Sequence, residues 1–112
     1  MFKVIFYTPF GKTSPVEKYL YSLNLKQEAK VTRALGYLKE YGISKSILNL
    51  RKVAGTPFWE LRILGKDNIR VICASIARSE IIVLHIFIKK QRKTPVKELN
   101  IAMKRYKTAV DR

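Results

Sequence analysis

The apolar positions along the chain form two kinds of pattern, which together predict three helices and four strands. In residues 15–23, 25–41 and 96–106 they recur every three or four positions, as in a helix that buries one face. Short runs rich in β-branched and aromatic residues predict strands at residues 2–7, 58–64, 69–76 and 81–88. The order β-α-α-β-β-β-α predicts an α+β fold, with residues 1–112 forming one domain that is long enough to bury a core.

The ends of the first two helices carry their own signals. Ser14 precedes Pro15, which suits the first turn of a helix, and Asn24 stands three residues before Gln27, the spacing of a capping box. Gly42 is placed to end the second helix. Because these helices are so close in sequence, we expect an antiparallel hairpin that packs on the sheet.

The last three predicted strands are joined by short turns at residues 65–68 and 77–80. Connections this short join antiparallel neighbours, so these strands should form a meander in a mainly antiparallel sheet. Residues 43–57 carry weaker signals. We expect them to pack against the body of the fold, with a turn at residues 55–57.

Arg62 and Arg70 are single charges within apolar strands, and their relative position depends on the loop between them. A loop of two or four residues puts the arginines on opposite faces of the sheet, whereas three or five residues pair Arg62 with Arg70. A four-residue turn at 77–80 then pairs Arg70 with Phe87, and both arginines, Phe87 and Lys89 project from one side. Two guanidinium groups there suit a phosphate, although a salt bridge from Arg62 to Glu60 or Glu80 on a solvated sheet face is the alternative.

Residues 81–95 begin as an apolar strand and end in a cluster of cations. That cluster consists of Lys89, Lys90, Arg92 and Lys93. These side chains could hold the phosphates of RNA, or could simply be a solvated strand end. Phe87 offers a stacking surface for a base, with core packing as the alternative. His85 shares its side of the strand and is either a proton-transfer group or a hydrogen-bonded structural residue.

The charge balance favours a polyanionic partner. The chain has 23 Lys and Arg against 8 Asp and Glu, a net charge of +15, which favours binding to nucleic acid or the ribosome and is compatible with an acidic protein partner.

The one cysteine of the chain, Cys73, excludes an internal disulfide and is expected to be a small buried apolar residue. With one histidine as well, no familiar zinc site can form. The sequence has no signal-peptide pattern and no apolar stretch of membrane-spanning length, so we expect a cytoplasmic protein.

Four motifs follow one another along the chain: Phe58-Trp59-Glu60-Leu61-Arg62, Arg70-Val71-Ile72, Leu84-His85-Ile86-Phe87-Ile88-Lys89-Lys90 and Lys93-Thr94-Pro95. In their order and spacing they resemble the motifs of the HigB-type toxins, in the phage-derived branch of the RelE/ParE superfamily. The resemblance extends from the first strand to Ala102. The combination is specific, whereas each motif alone would be weak.

The resemblance implies a toxin of a type II toxin–antitoxin system, an endoribonuclease that cleaves messenger RNA on the ribosome. An antitoxin, often with a helix-turn-helix domain, holds such a toxin inactive. The implied reaction needs no metal or other cofactor: the ribose 2′-hydroxyl attacks the adjacent phosphate and a 5′-hydroxyl leaves. Arg62 and Arg70 would stabilise the transition state, Lys89 or Lys90 would act as base, acid or electrostatic helper, and Phe87 would orient a base.

The chain departs from the pattern of some branches, because its last residues, 106–112, offer no histidine and only Asp111 as an acid. That leaves the general acid unassigned. Two other functions remain open. One is a ParE-like poison of DNA gyrase, which shares the architecture but generally lacks the Phe-x-Lys-Lys cluster. The other is a non-catalytic basic module that binds RNA or the ribosome.

Overall fold

A computed structural model describes residues 1–111 and shows an α+β fold of three helices and five strands in that part of the chain. The elements are β1 (Lys3–Phe6), α1 (Pro15–Ser22), α2 (Leu25–Tyr41), β2 (Leu50–Lys52), β3 (Trp59–Arg62), β4 (Ile69–Ala77), β5 (Glu80–Ile88) and α3 (Val96–Val110). All seven predicted elements are present, in the predicted order. The predicted fold class is confirmed.

The strand order in the sheet is β1-β5-β4-β3-β2. From β2 to β5 the neighbours are antiparallel, so the predicted meander is confirmed, while β1 runs parallel to β5. The strand β2 is an addition to the prediction. It is three residues long and lies at an edge of the sheet, with Arg51 and Lys52 exposed. Charged residues on a very short strand give little strand signal and are typical of a protected sheet edge.

The helix-capping contacts that the sequence predicts are present. The side chain of Ser14 accepts a hydrogen bond from the backbone N–H of Glu17 at the start of α1, and Asn24 and Gln27 form a complete capping box at the start of α2. Gly42 ends α2 with a φ of 70°, a conformation that glycine adopts without steric cost. Within residues 1–111, none of the helices is both long enough and apolar enough to cross a membrane.

Helices cover both faces of the centre of the sheet. Leu61 and Ile63 share a groove with Ala34 and Tyr37 of α2 on one face, and α3 packs on the opposite face, where Glu98 reaches His85. Strand β4 is accordingly buried from Ile69 through Ala74, on both of its faces. Cys73 is fully buried in this strand, as predicted, and burial raises the pKa of its thiol to about 12.

Candidate nucleic-acid interface

Strand register brings the two arginines to one face of the sheet. Ile63 pairs with Ile69, which leaves a five-residue loop at 64–68 and places Arg62 directly opposite Arg70. Arg70 is in turn opposite Phe87 of β5, as predicted. Residues directly opposite one another in neighbouring strands point to the same face. We call this the polar face, and its polar members include Arg51, Glu60, Arg62, Arg70 and His85, since Arg51 of β2 lies opposite Glu60.

The two arginines differ sharply in exposure. Arg62 is exposed, whereas Arg70 is 6% exposed. The Nε atom of Arg70 lies 3.0 Å from Oε1 of Glu60, and its Nη1 donates to the carbonyl oxygen of Ile69 at 3.3 Å. The Nε–H group is not aligned for a hydrogen bond, so the attraction to Glu60 is chiefly electrostatic. The glutamate that the sequence offered to Arg62 therefore pairs with Arg70.

Glu60 has a second partner on a different element. Its Oε2 atom accepts a hydrogen bond of 2.6 Å from Oγ1 of Thr94, in the segment between β5 and α3. Glu60 is 7% exposed, and each oxygen of its carboxylate has a positively polarised neighbour. A buried carboxylate is tolerated only with such partners.

Phe87 and His85 stack on each other, with ring centroids 5.3 Å apart and planes at 19°. Phe87 is 4% exposed, so its ring is part of the buried face and supports the imidazole. Stacking on a base, the role expected for Phe87, would need a face of this ring to be uncovered.

His85 has protein partners at both ring nitrogens. Nε2 lies 2.7 Å from Oε1 of Glu98, and Nδ1 lies 3.3 Å from Nη1 of Arg105, which also donates to the carbonyl oxygen of Leu84 at 2.8 Å. A guanidinium group can only donate, so Nδ1 accepts and the neutral ring carries its proton on Nε2. Burial lowers the pKa of His85 from its usual value of 6.5, against the opposing effect of Glu98, and the charge of Arg105 lowers it further.

The predicted cationic cluster, residues 89–93, lies outside the regular elements, and we call it the basic segment. Strand β5 ends at Ile88, and the backbone N–H of Lys89 donates to the carbonyl oxygen of Asn68 at 2.8 Å. Lys89 is partly buried, while Lys90, Arg92 and Lys93 are exposed. Within residues 1–111 the ion pairs are Arg70–Glu60 and His85–Glu98, so the cations of this segment have no acidic partner there.

Sequence reasoning missed three residues that contact the polar face: Thr94, Glu98 and Arg105. Glu98 and Arg105 are seven residues apart, which places them two turns apart on one side of a helix. That spacing, facing a single polar residue in an apolar strand, was a usable signal for the His85 contacts. No local signal indicated that Thr94 would bind Glu60, because the two residues are far apart in sequence.

A second feature is an apolar groove of about 750 Å³ between α2, residues 46–49 and residues 61–64. Four of its large side chains are at least about half exposed: Tyr37, Tyr41, Leu48 and Leu64. Its charged lining is entirely basic and consists of Lys30, Arg33 and Arg62. Arg62 therefore belongs to both the polar face and the groove.

Comparison with known proteins identifies a family. The family described as phage derived protein Gp49-like (DUF891) matches residues 18–107, from α1 into the last turns of α3. The comparison with curated proteins gives no match. A match over most of the chain includes the polar face, the basic segment and the groove. The chain thus belongs to the phage-derived Gp49-like family, within the RelE/ParE-like toxin superfamily.

Proposed function

We propose that this protein is a HigB-type toxin of a type II toxin–antitoxin system, an endoribonuclease that cleaves messenger RNA on the ribosome in the cytoplasm. The observation that carries the proposal is the polar face, where Arg62 is exposed opposite a buried Arg70. The basic segment follows β5 of the same sheet and has no acidic partner within residues 1–111. Several cations without acidic partners in one sheet favour the binding of a phosphate backbone.

In this proposal the 2′-oxygen of a ribose attacks the adjacent phosphorus while the bond to the 5′-oxygen breaks. The products are a 2′,3′-cyclic phosphate and a 5′-hydroxyl end, and no metal or cofactor is needed. One proton leaves the 2′-hydroxyl and one is taken up by the 5′-oxygen. Arg62 stabilises the negative charge that develops on the phosphate, with Arg70 behind it. Lys89 and Lys90 are the candidates for proton transfer or electrostatic help, and Arg92 and Lys93 hold flanking phosphates.

His85 and Phe87 have a supporting role in this proposal. Both nitrogens of His85 are occupied by Glu98 and Arg105, and Phe87 is buried against the imidazole ring. Their stacking holds together the part of β5 that immediately precedes the basic segment.

The test is controlled expression in bacteria, followed by primer-extension mapping of transcripts. The expected result is growth arrest with discrete cuts in translated messages, absent in Arg62→Ala. DNA damage with intact RNA would instead indicate a gyrase poison. RNA binding without either effect would indicate a non-catalytic module.

The partner in this proposal is an antitoxin, of the helix-turn-helix kind that the HigB resemblance implies. The groove fits an acidic amphipathic segment of such a partner, because its floor is apolar and its charged rim is basic. The test is co-purification of the antitoxin with Leu64→Asp, which should weaken the complex. Leu25→Asp is the matched control, since Leu25 is 85% exposed and lies outside the groove lining.

A further inference from the structure

Glu60 joins three elements through one carboxylate. The residue is on β3, its Oε1 atom is 3.0 Å from Arg70 on β4, and its Oε2 atom accepts the hydroxyl hydrogen bond of Thr94 at 2.6 Å. Thr94 immediately follows the basic segment. The other end of that segment is tied to the turn before β4 by the hydrogen bond from Lys89 to Asn68. The basic segment is therefore held at both ends.

The hydrogen bond from Thr94 to Glu60 is important because the basic segment is subject to electrostatic repulsion. The four cations of the basic segment repel one another and also repel the arginines on the polar face, so an untied segment would move outward into water. Through its hydrogen bond with Thr94, the negative charge of Glu60 opposes this movement. By pairing with Arg70, it also leaves Arg62 as the exposed member of the Arg62–Arg70 pair.

We propose that Glu60 and Thr94 are positioning residues of the RNA-binding surface, an inference that rests on the proposed ribonuclease function. Neither residue contacts RNA. Glu60 holds Arg70 in place and, through Thr94, keeps the basic segment over the polar face beside Arg62. The phosphate-binding surface is then a composite of Arg62 and the basic segment, and its geometry depends on the 2.6 Å hydrogen bond between Glu60 and Thr94.

Thr94→Val is the sharpest probe, because it removes the hydroxyl at constant size and leaves the Arg70–Glu60 pair intact. Thr94→Ser keeps the hydroxyl and should restore the wild-type behaviour. Thr108→Val is the matched control: Thr108 is an exposed residue on α3 whose hydroxyl donates to Lys104 of the same helix. Changes at Glu60 itself are less informative, since they leave Arg70 buried without its counter-ion.

The first measurement is hydrogen–deuterium exchange of residues 89–95, which requires no RNA. Thr94→Val should exchange several-fold faster in this segment alone, and Thr94→Ser and Thr108→Val should match the wild type. The second measurement is binding of a single-stranded 2′-O-methyl RNA, which cannot be cleaved. We expect about tenfold weaker binding by Thr94→Val. The slope of log affinity against log salt should fall by about 0.7 for each phosphate that the variant no longer binds.

The outcomes separate the two hypotheses. Faster exchange together with a lower salt slope, both reversed in Thr94→Ser, supports the positioning role. Unchanged exchange, or faster exchange with unchanged RNA binding, overturns it while leaving the ribonuclease proposal intact. A wild-type protein that neither binds nor cuts RNA contradicts the proposed function and removes the positioning role with it. A general loss of stability would also overturn the positioning role, because it would lower the melting temperature without a change confined to residues 89–95.

Discussion

The polar face has a buried part and an exposed part, although one strand register creates both. Arg70 is buried with Glu60 and Phe87, whereas Arg62, its direct partner across the strands, faces solvent with the basic segment. A cation without water is tolerated because its counter-ion is fixed beside it, and a cation in water keeps its charge available for a ligand. The comparison teaches that two arginines in matched strand positions can differ in role: Arg70 pairs with Glu60 inside the fold, and in the proposed function Arg62 binds phosphate.

The largest expected effect is in the buried part. Arg70→Met should lower the free energy of unfolding by about 3–5 kcal/mol, because it leaves the Glu60 carboxylate buried without its counter-ion. Urea denaturation measures the change. Adding Glu60→Gln should recover a large share of the loss, since it removes the unpaired charge. If Arg70→Met is as stable as the wild type, the division of roles between the two arginines is wrong.

The next effect is in the exposed part. Arg62→Ala should reduce RNA cleavage by about 10²–10³-fold, the usual result of losing one charged group that stabilises a transition state. Its free energy of unfolding should change by no more than about 0.5 kcal/mol, as for most surface substitutions. Cleavage of a defined message and urea denaturation are measured on the same preparation. Full cleavage by Arg62→Ala would exclude this arginine from the reaction.

A smaller effect concerns the pH dependence of the buried part. Because the pKa of His85 is lower in the folded protein than its unfolded value of 6.5, the unfolded chain binds more protons as the pH falls below that value. Stability should therefore fall as the pH drops through about 6.5 towards the folded pKa. One proton limits the slope to about 1.4 kcal/mol per pH unit. Denaturation of the wild type and His85→Gln at pH 5.5 to 7.5 should show this slope in the wild type alone.

The smallest effects are expected within the basic segment. Lys90→Ala and Arg92→Ala should each weaken RNA binding only a few-fold and lower the salt slope by about 0.7, without altering stability. Fluorescence anisotropy with a labelled oligonucleotide at several salt concentrations measures both quantities. A tenfold or larger loss of cleavage with unchanged binding in Lys90→Ala would instead point to a role in proton transfer.

The strand register was left open by the sequence, because a four-residue turn at 65–68 puts Arg62 and Arg70 on opposite faces of the sheet whereas a loop of three or five residues pairs them. The structure has the five-residue loop 64–68, which pairs them. The pairing of Arg70 with Phe87 was predicted from a four-residue turn at 77–80, which is not the turn that the structure has. The observed turn has two residues, 78 and 79, and two register shifts in the β4–β5 pair bring the strands back to the predicted alignment. Alternation of residue types does not reveal such compensating irregularities.

The difference in exposure between Arg62 and Arg70 was beyond the sequence, since both are single charges in apolar strands. It depends on which residues cover each one after the chain has folded. Thr94 is 34 residues from Glu60 in the chain, and only the docking of α3 brings them together. Arg70 was expected to act on phosphate together with Arg62, and the structure buries it beside Glu60.

The parallel pairing of β1 with β5 has a consequence for synthesis of the protein. Lys3 pairs with Glu80 and Phe6 with Val83, so β1 cannot enter the sheet until β5 has also left the ribosome. Contacts so distant in sequence form late and slow folding. During translation, β1 therefore pairs only after β5, the strand that precedes the basic segment, has been synthesised. The polar face is therefore unfinished until β5 and the basic segment have been synthesised, which confines any activity of that face to a chain that has been translated at least through Thr94.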